Sequence, residues 1–294
     1  MPKQQVAERP GHSFTPAIGI AEPHLSREVR AVATVFCAHS AGWPTKGEFI
    51  DRCDGISDRA SALLVANLRP GIRILDLGAG AGKVADKVLS AEPTAKLVLV
   101  DHAPGMVRVL SERFSESPQV TIICADLQRI REVLGDQQFD LITLFQVLHH
   151  VPYPGAALRV AARHLRQGGR AIILTPGPRY QETIFPRTSR DGLGRRQISS
   201  WLKLAEAAGL DIESVHNDSF AFHFRNGVAY AHFLHRVGSL EKLARYRLLT
   251  GEQLDRGLSD AALRATKACA DAEGGITVPC EHVTIVARRF AEGK

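Results

Sequence analysis

The segment Ile74-Leu75-Asp76-Leu77-Gly78-Ala79-Gly80-Ala81-Gly82-Lys83 constrains this chain more than any other. An apolar run feeds directly into three alternating glycines. That is the pattern of a buried strand turning into a helix where the backbone must come close to a ligand. A nucleotide-like ligand is implied, and the spacing separates two classes of it. In a dinucleotide fingerprint, G-x-G-x-x-G, the third glycine counted from Gly78 and Gly80 would fall at position 83, which is Lys83. Asp76 also sits inside the strand, where a nicotinamide-binding strand is apolar. A carboxylate there can hold an ammonium group or order water beside it.

Around this turn the chain alternates between two periods. Apolar runs at Ile72 to Leu77, Leu97 to Asp101, Val120 to Cys124, Phe139 to Phe145 and Gly169 to Thr175 read as strands buried on both faces. Helical patterns follow from Gly82, Pro104, Gln128 to Leu134 and Ala156 to Leu165. Leu210 to Val215 reads as a sixth strand and His282 to Arg288 as a seventh. Ile198, Trp201, Leu202 and Ala205 form one more helical stripe, ended by Gly209. Such βαβα alternation implies a doubly wound α/β sheet with helices on both faces.

The flanks carry less information. Residues 1–25 are expected to be a poorly ordered tail. A helix is expected from Ser26, with Val29, Val32, Ala33 and Phe36 on one stripe, and a second over Gly47 to Asn67. Residues 26–294 then form one domain. Within it, 219–279 is far too long for a hairpin connection and has helical signals at Ala229 to Leu249 and Gln253 to Ala270, so it reads as an inserted helical cap.

Bulk properties exclude several classes. No run approaches the roughly 18 apolar residues that span a bilayer, and the polar N-terminus has no signal-peptide centre, so the cytoplasm is the expectation. Five cysteines without CxxC or zinc-ligand spacing argue against a disulfide framework, and no metal is expected. The net charge of +6 comes from 28 Arg and 9 Lys against 31 acids, spread along the chain. This bias matches a GC-rich genome better than a nucleic-acid surface. The densest cluster, Arg187, Arg190, Arg195 and Arg196, reads as a solvated mobile loop.

Leu75-Asp76-Leu77-Gly78-Ala79-Gly80-Ala81-Gly82 resembles the first motif of class I S-adenosylmethionine (SAM)-dependent methyltransferases, and three more matches follow in order. Val100-Asp101-His102-Ala103-Pro104-Gly105-Met106 is similar to the second-strand end, whose carboxylate takes the cofactor's ribose hydroxyls. Cys124-Ala125-Asp126-Leu127 resembles the third-strand motif, where Asp receives the adenine amino group. The run from Phe139 through Gln146 to His149, His150 and Val151 resembles the fourth-strand motif of the small-molecule branch.

The resemblance implies a seven-stranded, mostly parallel sheet with an antiparallel last strand, SAM as cofactor and a small-molecule acceptor. It places Asp76, Gly78, Ala79, Gly80, Gly82, Asp101, His102, Met106, Asp126, Leu127 and Gln146 around the cofactor, with His102 and Leu127 flanking the adenine and Gln146 beside the methionine portion. His149 and His150 would lie at the methyl end, the nearest titratable candidates for a general base. In the insert, Phe222, Tyr230 and His223 are the candidate acceptor contacts, because ligand pockets are mostly apolar with few polar groups.

Competing readings are weaker. A nucleic-acid amino-methyltransferase would show an Asn/Asp-Pro-Pro-aromatic stretch where this chain has Phe145-Gln146-Val147-Leu148. A cytosine C5 enzyme would need a nucleophilic Cys near the same edge, and Cys280 comes too late. A SAM-binding protein that does not methylate would carry identical cofactor motifs and stays open. Membrane partners are not expected, and the oligomeric state is not legible.

Overall fold

The computed structural model describes residues 27–39, 58–186, 195–244 and 247–289. The expected tail, Ser26, residues 47–57 of the second helix, Cys53, and Arg187 and Arg190 of the basic cluster lie outside them. The first helix, α1 (Arg27–His39), and the second, α2 (Asp58–Ala66), precede the sheet. Then β1 (Arg73–Leu77), α3 (Lys83–Ala91), β2 (Lys96–Asp101), α4 (Pro104–Arg113) and β3 (Val120–Cys124) form one half of the fold. The other half comprises α5 (Arg131–Leu134), β4 (Phe139–Phe145), α6 (Pro154–His164), β5 (Leu165–Pro176), α7 (Ile198–Glu206) and β6 (Leu210–Phe224). Three helices, α8 (Gly227–Arg236), α9 (Ser239–Leu243) and α10 (Gly251–Cys269), separate β6 from β7 (Ile276–Arg289).

The strands make one seven-stranded sheet in the order β3-β2-β1-β4-β5-β7-β6. β7 runs antiparallel to both of its neighbours, and the pairs on the other side of β5 are parallel. The expected doubly wound sheet with an antiparallel last strand is the observed one. Strand periodicity explains how it is buried. Leu75, Leu77, Ile142, Leu144 and Ile173 face one side and pack with Leu158, Ala161 and Trp201 of α6 and α7. Their neighbours Ile74, Leu141, Ile172 and Leu174 face the other side, against Leu64, Val84, Val88 and Leu110 of α2, α3 and α4. The chain winds outward from β1 through β2 to β3 and then crosses back to β4. The carboxyl ends of β1 and β4 therefore border the crevice where sheets of this kind bind ligands.

The insert departs from the expected boundaries. β6 and β7 stay paired from Leu210↔Arg289 to Phe224↔Ile276, well past the last β5 partner at Pro176↔His282. The two ends of the expected insert, from Ser219 and up to Pro279, are therefore strand, and only α8, α9 and α10 are helical. Phe220, Phe222 and Phe224 alternate with Ala221 and His223, a period-two pattern that packs all three rings inward. The ribbon's inner face joins Tyr230, Phe233 and Leu234 of α8 and Ala261 and Ala265 of α10 in a separate apolar cluster. This cap core stands on an extension of the sheet.

The basic segment is also corrected where it is described. Arg195 is buried, and its guanidinium donates to the Tyr180 carbonyl at 2.9 Å. Arg196 lies over the Trp201 ring at 5.4 Å. Arg195 is thus a buried contact, whereas Arg196 is exposed in a loop as expected. No helix among the described residues is long and apolar enough to cross a membrane.

Candidate active site

The glycine turn is built by its backbone. Gly78, Gly80 and Gly82 all have positive φ, 77°, 54° and 83°, a region costly for residues with a Cβ. The Gly78 and Ala79 N–H groups both donate to the Val100 carbonyl, at 2.8 and 2.9 Å, so the turn is folded onto the end of β2. At Gly78 a Cβ would stand 2.3 Å from Val147 Cγ2. At Gly80 a Cβ would meet nothing within 4 Å, because that face opens on a cavity.

The cavity lies over the carboxyl ends of β1, β2 and β4. Asp76, Gly78, Ala79, Gly80, Asp101, His102 and Met106 line its first-half side, and Gln146, His149 and His150 its second-half side. The Asp101 carboxylate is buried and spans two loops: Oδ2 accepts from the Gly80 N–H and Oδ1 from the Ala103 N–H, both at 2.9 Å. A carboxylate has about four acceptor sites, so Asp101 retains capacity toward the cavity. His102 Nδ1 lies 3.7 Å from Asp101 Oδ1.

Asp76 is the electrostatic centre of the floor. It is 1% exposed; Oδ1 accepts from Thr143 Oγ1 at 2.6 Å, and Oδ2 has no partner. Burial pushes its carboxyl up to about 7, opposed by the Thr143 hydrogen bond and reinforced by the Asp101 charge. An orphaned carboxylate oxygen beside a cavity is completed by a cationic donor.

At the other end, Gln146 takes a left-handed conformation, φ 56°, on leaving β4. Its Nε2 contacts His282 Nε2 at 2.9 Å, which makes that histidine nitrogen the acceptor and leaves Nδ1 as the N–H. His282 Nδ1 has no partner. Burial pushes the His282 imidazole down to about 3. His149 and His150, with centroids 4.0 Å apart, are also held well below the usual histidine range. Burial is the main cause for both; His150, Lys242 and His282 add repulsion at His149, as Lys242 and His102 do at His150. All three rings are neutral near pH 7.

The cap closes the cavity with Phe36 of α1, Tyr180, and Phe222, Phe233, Val237 and Ser239 of the insert. Tyr180 stacks on His282 at 5.7 Å, and Phe36 sits edge-on to His150 at 5.0 Å. Glu281 holds the Tyr180 loop: its Oε2 accepts from the Arg179 N–H at 2.8 Å and its Oε1 from Asn217 Nδ2 at 2.6 Å.

Five expected site residues do not line this cavity. Gly82 caps α3 and faces Phe114, whose ring a Cβ would meet at 2.5 Å, so its absent side chain serves packing. Leu127 is buried in the core beside Ile123 and Ile130. Asp126 lies two residues beyond Cys124, the β3 partner of Asp101, and its carbonyl accepts from the Arg129 N–H in the short turn that follows. Tyr230 is fully buried inside the cap and donates to Gln181 Oε1 at 2.8 Å. His223 is exposed and pairs with Thr277 Oγ1 at 3.1 Å, because strand alternation turns it away from Phe222. Phe36 of the first helix and Phe233 of the insert line the cavity, and so do His282 and Tyr180, which were not singled out for it. Of these, His282 had a signal: it begins the expected last strand, beside the sheet's carboxyl edge.

Residues 75–173 match the family model described as a methyltransferase domain. The match runs from β1 to β5, the strands and loops that border the cavity. The chain is also 28% identical over 162 residues to the ubiquinone biosynthesis O-methyltransferase of Xanthomonas oryzae pv. oryzae, covering 49% of this chain and 65% of that relative. The chain thus spans less than two thirds of the relative's length. A SAM-dependent methyltransferase from Geobacter sulfurreducens, solved with S-adenosyl-L-homocysteine, superposes with a TM-score of 0.57 at 15% identity, covering 87% of this chain and 98% of that one. The [4+2]-cyclase SpnF superposes equally well, with a TM-score of 0.57 at 19% identity, covering 89% of this chain and 94% of that one. The fold is therefore shared across more than one chemistry.

Two outcomes test this geometry. Gly78→Ala should cost about 2–4 kcal/mol, combining left-handed strain with overpacking. Adding Val147→Ala should return the overpacking part and leave the strain, as read from urea midpoints; additive costs would mean that Val147 does not set the limit. The second outcome concerns pH. Each buried neutral histidine takes up its proton only on unfolding, so between pH 6.5 and 5 the unfolded chain binds more protons and stability falls as pH falls. The slope is up to about 1.4 kcal/mol per pH unit for each of the three rings. Asp76 works in the opposite sense, since its raised carboxyl binds a proton in the folded state. The Asp76→Asn variant should therefore lose stability more steeply below pH 6.5 than the wild type, and equal slopes would contradict the assignment.

Proposed function

We propose that this protein uses SAM to methylate a small, largely apolar acceptor at a hydroxyl group. The observation that carries this reading is the orphaned Asp76 Oδ2 at one end of a cavity whose other end is walled by aromatic rings and neutral histidines. The polar end suits the cofactor: Asp76 would take its ammonium, Asp101 its ribose hydroxyls, and the open face of Gly80 would pass its chain. Met106 and His102 flank the adenosyl direction, with Asp126 and Leu127 proposed further along it. When bound there, SAM supplies an activated methyl group on a good thioether leaving group.

The protein's own part is positioning and water exclusion, worth much of the rate in an in-line displacement. Phe36, Phe222 and Phe233 would hold the acceptor against the cofactor. Gln146 would line the methionine portion, and the unpartnered His282 Nδ1–H would donate to an acceptor oxygen. His149 and His150, neutral near pH 7, are proposed as the groups that receive the hydroxyl proton. The name of the Xanthomonas relative supports a hydroxyl acceptor. The 28 Arg and 9 Lys favour a GC-rich bacterial source and, with the cap, a role in specialised metabolism. The same reading puts the enzyme in the cytoplasm and takes its partner to be a small molecule rather than nucleic acid or membrane.

Incubation with SAM and a panel of phenolic and alcoholic acceptors should release S-adenosylhomocysteine in proportion to methylated product. Product without that release would assign the chain to a chemistry such as the cyclase's. In calorimetric titration with S-adenosylhomocysteine, affinity should fall about tenfold per pH unit below pH 7, because Asp76 must lose its proton to pair with the ammonium. Asp76→Asn should bind more weakly at pH 8 and lose this pH dependence; a retained slope would remove Asp76 from the site.

The cap makes a separable prediction. Phe222→Ala should raise the acceptor KM or lower kcat with cofactor affinity nearly unchanged. Tyr230→Phe should cost about 1 kcal/mol of stability through its lost hydrogen bond and leave the acceptor KM alone. If Phe222→Ala weakens cofactor binding as much as Asp76→Asn does, the cap does not form the acceptor pocket.

A further inference from the structure

Outside the active cavity, His39 meets two side chains six residues apart, His235 and Glu241, where α1 meets the cap. His39 ends α1, His235 lies in the last turn of α8, and Glu241 lies in α9. One ligand atom from each falls within 4.8 Å of the others. Glu241 Oε1 lies 2.8 Å from His235 Nδ1 and 3.2 Å from His39 Nε2, and the two rings stand perpendicular at 4.6 Å. The Glu241 carboxylate is fully buried, and the His39 side chain is 9% exposed.

Hydrogen bonding leaves this cluster incomplete. His39 Nε2 and Glu241 Oε2 are buried without a hydrogen-bond partner, although His39 Nε2 is close to the carboxylate. A close pair that misses hydrogen-bond alignment has a geometry that two ligands of one ion can share. With bonds of about 2.0–2.1 Å, tetrahedral ligands lie about 3.3 Å apart, close to the 3.2 Å between His39 and Glu241. Two imidazoles and one carboxylate form a donor set for a borderline divalent ion such as Zn²⁺, with room for one more ligand. The cysteine spacing that argued against a metal does not bear on this cluster, which contains no cysteine.

We propose that His39, His235 and Glu241 bind a divalent transition-metal ion that staples α1 to the cap. α1 carries Phe36, which lines the acceptor end of the cavity, and Val35, which packs against the Gly238 turn between α8 and α9. Holding the end of α1 on α8 and α9 thus fixes a wall of the cavity without placing the metal at the reacting atoms. The ion's binding energy would appear as added stability of the closed arrangement.

The test uses the full-length chain and the metal alone, independently of any methyl-transfer assay. The metal-free protein should take up one Co²⁺ per chain, with the visible absorption of a four-coordinate site, and Zn²⁺ should displace it. Zn²⁺ should also raise the Tm. His39→Ala and Glu241→Gln should each weaken Zn²⁺ at this site by about 100-fold or more, and abolish the Tm shift. His39→Ala, at a helix end, remains informative if the buried Glu241 variant fails to fold. His232→Ala serves as a control for adventitious histidine binding and should change neither readout. Absence of stoichiometric uptake by the wild type, or equal uptake and equal Tm shift in His39→Ala, would overturn the proposal.

Discussion

Two backbone N–H groups, from Gly80 after β1 and Ala103 after β2, converge on the single buried carboxylate of Asp101. This contact joins the loops on either side of the crevice and fixes where the rest of the site can stand. The glycine turn keeps its left-handed path because its N–H groups find acceptors at Val100 and Asp101. Asp76, one strand away, then sits at the bottom of the opening with one oxygen satisfied by Thr143 and the other free. Burial and the nearby Asp101 charge raise the proton affinity of Asp76, and a cationic ligand relieves that cost.

Much of the central sheet was legible because its strands are buried on both faces and read as continuous apolar runs. β3 and β4 match their expected spans residue for residue, and β1 and β2 differ by a single residue at the N-terminal end. The long ribbon of β6 and β7 was not legible for a physical reason. β6 is an edge strand, so His216, Asn217, Asp218 and Ser219 interrupt its apolar signal while the backbone continues pairing with β7. Phe222 reads as a pocket contact, although the period of two that it shares with Phe220 and Phe224 is itself the strand signal. Only Phe222 among the three candidate acceptor contacts lines the cavity, because that same period sends His223 to solvent and the cap core takes Tyr230.

The histidines illustrate a different limit. His149 and His150 could be placed from the fourth-strand motif, but their neutrality comes from burial beneath a cap that local sequence does not describe. His282 is separated from Gln146 by most of the second half of the chain, and antiparallel pairing of β5 with β7 brings it to the cavity. The same holds for the cluster of His39, His235 and Glu241, which exists only because α1 docks against the insert. Long-range contacts of this kind leave no spacing rule to read.

The central claim is that the crevice at the carboxyl ends of β1, β2 and β4 holds the cofactor by its charged amino group at Asp76. Its most direct test is a crystal structure of the chain with S-adenosylhomocysteine. The account predicts the ligand's amino nitrogen within hydrogen-bonding distance, about 2.7–3.1 Å, of Asp76 Oδ2, with the homocysteine chain crossing the open face of Gly80. A ligand bound with its amino group away from Asp76, or outside this crevice altogether, would contradict it.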